Sequence, residues 1–182
     1  WYKRGCGTEL NRPKFADAVI ITTQDRMHLE PAIAFARLKY DILIEKPLAP
    51  TLEECRDLIA AAENNGIIMS VCHVLRYTNF TRKLKELITG GKIGTVMSVQ
   101  HLEPVGHWRF AHSYVRGNWR KEENSSSVLL AKSIHDLDWI RYIVDSAPKQ
   151  VSSFGSLMFF KKENQPGGAA DRCLECALEP QC

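Results

Sequence analysis

The chain has no run approaching the roughly 18–20 apolar residues that a membrane-spanning helix needs. It also has no excess of one charge: 24 Lys and Arg stand against 21 Asp and Glu, a net +3, and the basic residues are dispersed. That excludes the basic stripe of a nucleic-acid-binding surface. There is no internal repeat, no low-complexity segment and no secretory signal in Trp1-Tyr2-Lys3-Arg4-Gly5-Cys6. Six cysteines are present, but Cys6, Cys55 and Cys72 are scattered. The last two sit in apolar-patterned segments and read as small buried side chains, not as a disulfide framework. A reducing cytoplasm is the expected compartment. No glycine-rich strand-turn-helix precedes the first strand, and the last residue, Cys182, falls inside a cysteine cluster. Both ends therefore read as cut, unless residues 1–15 are a divergent start.

What is present is α/β alternation. Ala16 to Thr22 reads as a parallel strand, His28 to Lys39 as a helix with Pro31 in its first turn, and Asp41 to Glu45 as the next strand. Thr51-Leu52-Glu53-Glu54 is a capping box; Leu52, Cys55, Ile59 and Ala62 line one face of the helix that follows, and Gly66 closes it. Ile67 to His73 is a third strand. Strand and helix at this spacing predict right-handed βαβ units and a partial Rossmann-type, doubly wound parallel sheet over residues 1–76. After residue 76 the rhythm changes to α+β. A helix is expected over Phe80–Thr89, a strand over Thr95–Leu102, a helix over Ser127–Val144 and a strand over Gln150–Phe160. Between them, Glu103–Asn124 is irregular and rich in aromatics, and so long a loop is usually functional.

Three side chains stand out chemically. Glu45-Lys46-Pro47 ends the apolar run Ile42-Leu43-Ile44, where open α/β sheets bind ligands. A lysine after a strand is ordinarily a surface residue. Here Pro47 restricts Lys46 to an extended backbone, which aims the side chain, and Glu45 can hold or tune the ammonium. Lys132 and His135 are three apart and share a face of a predicted helix, followed by Asp136 and Asp138. A lone helical histidine is more often structural. Lys-x-x-His-Asp-x-Asp facing a pocket can serve as a proton relay.

These segments, in order, resemble the Gfo/Idh/MocA oxidoreductases. Val19 to His28 is similar to that family's strand and Thr-turn, and Glu45-Lys46-Pro47 to its hallmark tripeptide. His73-Val74-Leu75-Arg76-Tyr77 is similar to its junction segment, Asn118-Trp119-Arg120 to its Trp-Arg loop, and Leu130 to Asp138 to its His-x-x-Asp helix. The resemblance implies an N-terminal Rossmann domain binding NAD or NADP. It also implies an α+β domain over residues 77–182, whose open antiparallel sheet walls the substrate site and serves as a homo-oligomer interface. It implies hydride transfer between the nicotinamide and a sugar- or polyol-like substrate, with Lys46, Lys132 and His135 catalytic. Thr22, Thr23, Gln24, His28, Glu45, Lys46, Pro47, Arg76, Trp119 and Arg120 would bind cofactor. Trp119 and Arg120, with the three catalytic residues, would also bind substrate.

The sequence departs from that pattern in two places. The Gly-x-Gly-x-x-Gly phosphate loop is absent, and Ala131 stands where many members carry Asp. A non-catalytic binding or regulatory homologue is the rival reading. Cys173, Cys176 and Cys182, spaced C-x2-C-x5-C, form a candidate structural zinc site. A metal-tethered scaffold is accordingly a third reading.

Overall fold

The computed structural model describes residues 13–181. Three parallel strands, β1 (Ala18–Ile21), β2 (Asp41–Ile44) and β3 (Met69–Val71), pair in the order β1-β2-β3. Ala18 faces Asp41 and Ile21 faces Ile44, while Ile42 faces Met69 and Ile44 faces Val71. Helix α1 (Leu29–Arg37) connects β1 to β2, and α2 (Leu52–Asn65) connects β2 to β3. The two helices pack on each other and on one face of the sheet. Ile21, Ile42, Ile44, Ala32, Ala36, Ala49 and Leu58 form the core. Side chains alternate across a strand, so Ile20 and Leu43 point the other way and remain 65% and 38% exposed. Among the described residues, the second helical layer of a doubly wound sheet is not supplied.

Local chemistry explains α2. The Thr51 hydroxyl accepts from the Glu54 amide at 3.2 Å, and the Glu54 carboxylate accepts from the Thr51 amide at 3.3 Å, which completes the expected box. Gly66 ends the helix at φ 62°, a left-handed turn that costs a glycine little. The buried face differs from the one the spacing suggested. Leu58 and Ala62 are buried and Cys55 is half-buried, while Leu52 and Ile59 are exposed. The helix is turned so that Leu58 joins Ile42 and Ile44 in the core.

Beyond β3, residues 74–77 make a 3₁₀ turn leading to α3 (Asn79–Thr89). Residues 103–124, expected to be irregular, are partly helical. Here α4 (His107–Phe110) runs directly into a π-turn over Ala111–Val115, and Glu122–Asn124 is a 3₁₀ turn. The helix expected over 127–144 is broken into α5 (Val128–Ala131) and α6 (Ile134–Val144). Arg76 ties the 74–77 turn to Asp138 on α6, and Trp139 Nε1 donates to Thr81 Oγ1 on α3 at 2.9 Å. These bonds knit residues on both sides of position 76 together. Contacts group the residues up to Ala147 into one unit and those from Pro148 into another.

Residues 95–102 and 150–160 form no sheet ladder among the described residues. Both are rich in strand-forming side chains, but a strand holds only where its amides and carbonyls meet a partner. The smaller unit, Pro148–Cys182, carries short 3₁₀ turns at Lys162–Asn164, Cys173–Glu175 and Glu179–Gln181. No helix of the described residues is long and apolar enough to cross a membrane.

Because Leu58 is fully buried against the sheet, Leu58→Ala is expected to lower unfolding free energy by about 2–5 kcal/mol. Urea denaturation followed by circular dichroism measures it. A loss under about 1 kcal/mol would remove Leu58 from the core described above.

Candidate functional site

A cavity of about 340 Å³ lies at the carboxyl ends of β2 and β3. Its lining includes Glu45, Lys46 and Cys72 from those ends, Arg109, Tyr114 and Trp119 from the 103–124 segment, and Lys132 and His135 from the α5–α6 region. The sequence-selected trio, Lys46, Lys132 and His135, is thus brought to one cavity.

Lys46 is held by a neutral partner. Its Nζ donates to the Ala131 carbonyl oxygen at 2.7 Å. That oxygen is available because the helix breaks there: the His135 amide donates to Lys132 O at 3.3 Å, and the Ser133 amide reaches back to Val128 O at 3.3 Å. Glu45 does not grip the ammonium; its Oε2 accepts from the backbone amide of Lys46 at 3.1 Å. The Lys46–Pro47 peptide bond is cis. Burial lowers the Lys46 pKa, Glu45 and Asp25 oppose that, and the charges of Lys132 and Arg109 lower it further. Lys132 donates to Glu103 Oε1 at 2.9 Å.

His135 Nδ1 is buried and has no hydrogen-bond partner among the described residues. Burial pushes its pKa below the ordinary value of 6.5, and Lys46, Lys132 and His73 push it the same way, against Asp136. The ring is therefore neutral near pH 7 and able to take a proton. Behind it, Arg76 makes a two-pronged ion pair with Asp138 and lies 5.2 Å over the Tyr142 ring. Arg76 is not among the cavity's lining residues.

The β1 end is occupied structurally. His28 is buried, with Nδ1 3.0 Å from the Pro47 carbonyl and Nε2 3.0 Å from the Thr23 carbonyl. It thereby bridges the turns after β1 and β2. Thr23 Oγ1 donates to Met27 O at 3.0 Å, and Thr22 and Gln24 are exposed. Arg120 is exposed, with Nη1 3.5 Å from Arg116 O. Sequence reasoning missed Asp25. Only 4% exposed, it accepts from Trp119 Nε1 at 3.2 Å and from the Ser126 hydroxyl, pinning the 103–124 segment to the β1 end. Its place just past a strand's carboxyl end was the available signal.

Two family models match, described as the oxidoreductase family's NAD-binding Rossmann fold over residues 8–73 and its C-terminal alpha/beta domain over residues 85–179. The chain belongs to the Gfo/Idh/MocA oxidoreductase family. Within it, the chain is 30% identical over 167 residues to 2,7-anhydro-N-acetylneuraminate hydratase of Escherichia coli, covering 91% of this chain and 43% of that protein. It is 30% identical over 154 residues to 1,5-anhydro-D-fructose reductase of Ensifer adhaerens, covering 84% of this chain and 45% of that one. A solved levoglucosan dehydrogenase in complex with NADH and levoglucosan aligns with TM-score 0.58 at 28% identity, over 76% of this chain and 37% of that one. The chain thus spans under half the length of these relatives.

The expected zinc cysteines are described only in part. Cys182 lies outside the described residues, Cys173 is exposed, and Cys176 Sγ accepts from the Ala170 amide at 3.5 Å. The trio of ligand-type residues that does meet, among the described residues, is His101, Glu103 and Asp136. Its charges are already engaged: His101 Nε2 is 2.8 Å from Asp136 Oδ1, and Glu103 binds Lys132.

The π-turn depends on Gly117. A Cβ there would collide with the carbonyl oxygens of His112 and Ser113, which the chain passes as the Trp119 amide donates to Ser113 O at 3.2 Å. Gly117→Ala is expected to displace Trp119 and shift tryptophan fluorescence while leaving far-ultraviolet circular dichroism nearly unchanged. An unaltered emission spectrum would contradict this.

A pH dependence follows from His135 and His73. The pKa of each is pushed below 6.5 chiefly by burial. The unfolded chain therefore takes up protons first, so this contribution to stability is full above about pH 6.5 and is lost as pH falls through the folded-state pKa values. The urea midpoint is expected to fall with acidification below that point, and less steeply in His135→Asn. Equal slopes in the two proteins would show that His135 is not buried neutral.

Proposed function

We propose that this chain forms the nicotinamide-facing part of an oxidoreductase site that interconverts a secondary hydroxyl and a carbonyl on a sugar- or polyol-like substrate. The observation that carries it is the convergence of Lys46, Lys132 and His135 on one cavity at the carboxyl ends of parallel strands. The activities of the relatives, a reductase and a dehydrogenase acting on sugars among them, support the same chemistry.

The residues fit a nicotinamide dinucleotide at its reactive end. The cavity is walled by two rings, and it offers a neutral buried imidazole with an unpartnered nitrogen beside an oriented ammonium. When bound, the cofactor accepts or donates the hydride. In the oxidative direction His135 takes the hydroxyl proton, which its lowered pKa allows near pH 7. Lys46, fixed by Ala131, stabilises charge developing on the same oxygen, and Lys132 orients the substrate. In reduction His135 returns the proton. Thr22, Thr23 and Gln24, on the β1 turn, are proposed to flank the cofactor, with Arg76 contributing from the turn after β3 and Arg120 from the 103–124 segment.

Cys55, Cys72 and Cys176 carry thiols outside any disulfide, which supports a reducing cytoplasm. Val151, Phe154 and Met158 are exposed apolar side chains on residues 150–160, which supports homo-oligomer assembly through that segment.

Titration of NADH and NADPH against this chain, read by nicotinamide fluorescence, tests the reading. Saturable binding of one of them is expected. Lys46→Ala should then lower kcat by about 10²-fold or more, with a much smaller change in nucleotide affinity. No binding of either nucleotide would favour the non-catalytic reading for this chain. Unchanged kcat would remove Lys46 from the mechanism.

A further inference from the structure

We propose that the substrate carries a carboxylate near its reacting hydroxyl, as a sugar acid does, and that Arg109 is the residue that selects it. The reaction assumed is the one proposed above; the ligand's charge is argued separately.

The cavity is lined by three basic side chains, Lys46, Lys132 and Arg109, and by one carboxylate, Glu45. Glu45 is already accepting from the Lys46 amide. The Lys46 ammonium is held by a carbonyl dipole, which orients the charge without cancelling it. Lys132 is paired with Glu103, which is not part of the lining. Asp25 accepts from Trp119 and Ser126. Arg109 has no carboxylate within ion-pair distance among the described residues, and its charge is felt inside the cavity at both Lys46 and Tyr114. With His135 neutral, the cavity holds an excess of positive charge.

Lys46 and Lys132 are half-buried and Arg109 reaches the cavity from an exposed position; like charges converging on one cavity are stabilised by an anion placed between them. A neutral polyol supplies none. A carboxylate accepts two parallel N–H bonds from a guanidinium, a geometry that a lysine cannot offer. Tyr114 and Trp119 provide flat apolar walls for a sugar face, and about 340 Å³ suits a ligand of hexose size. The phosphates of a dinucleotide are the competing source of negative charge, so the test separates the two.

Binding of D-glucuronate and D-galacturonate is compared with that of D-glucose and D-galactose by isothermal titration on the intact chain. The Kd for NADH is measured in parallel for the parent, Arg109→Gln and Arg109→Lys. At least one acid is expected to bind about tenfold or more tightly than its neutral counterpart. That preference should weaken as salt rises, fall about tenfold in Arg109→Gln and only partly return in Arg109→Lys, while NADH affinity holds. Equal binding within both pairs, or no binding of either acid, overturns the proposal. So does an Arg109→Gln chain that loses NADH affinity but keeps the preference. Should the variants fail to fold, a salt-insensitive acid preference in the parent overturns it. Acid binding without any nucleotide binding sinks the oxidoreductase reading and leaves this one. Nucleotide-dependent turnover of neutral sugars alone does the reverse.

Discussion

The bond from Lys46 Nζ to the Ala131 carbonyl holds the site together. It joins the end of a buried parallel strand to a break between two helices, residues far apart in sequence. The break and the bond require each other. An intact helix would have used the Ala131 carbonyl for its own ladder, and a half-buried ammonium without an acceptor would carry a desolvation penalty. Once made, the bond fixes where Lys132 and His135 lie, because they flank the same break.

The electrostatics follow from that arrangement. Positive charges gather around the cavity, and their mutual repulsion, added to burial, keeps His135 neutral. The buried carboxylates are assigned elsewhere. Asp138 neutralises Arg76 behind the site, and Asp25 anchors Trp119. The neutrality of His135 therefore comes mainly from its surroundings, burial first and the neighbouring cations second.

Much of this was legible in the sequence. Strand cores and the Thr51–Glu54 box follow from local rules that tertiary context did not disturb. The trio Lys46, Lys132 and His135 could be named because a motif and a helical spacing marked it. The rotation of α2 could not be read, since Leu58 and Ile59 are equally apolar and only the shape of the sheet chooses between them. Nor could the split of the 127–144 helix, which contains no proline or glycine and breaks for a tertiary acceptor. Asp25 and Arg109 were missed because isolated charged residues in loops carry no periodicity. The segments at 95–102 and 150–160 have strand-like composition without a described partner strand.

Asp25 also bears on how such a site diverges. The segment carrying Arg109 and Tyr114 is fastened at its far end, where Trp119 and Ser126 meet one buried carboxylate. Residues upstream of that clasp can be exchanged without loosening the wall, whereas a change at the clasp is felt at the turn after β1. Variation in the cavity wall and in the turn after β1 is thus separable on one side of Gly117 and linked on the other.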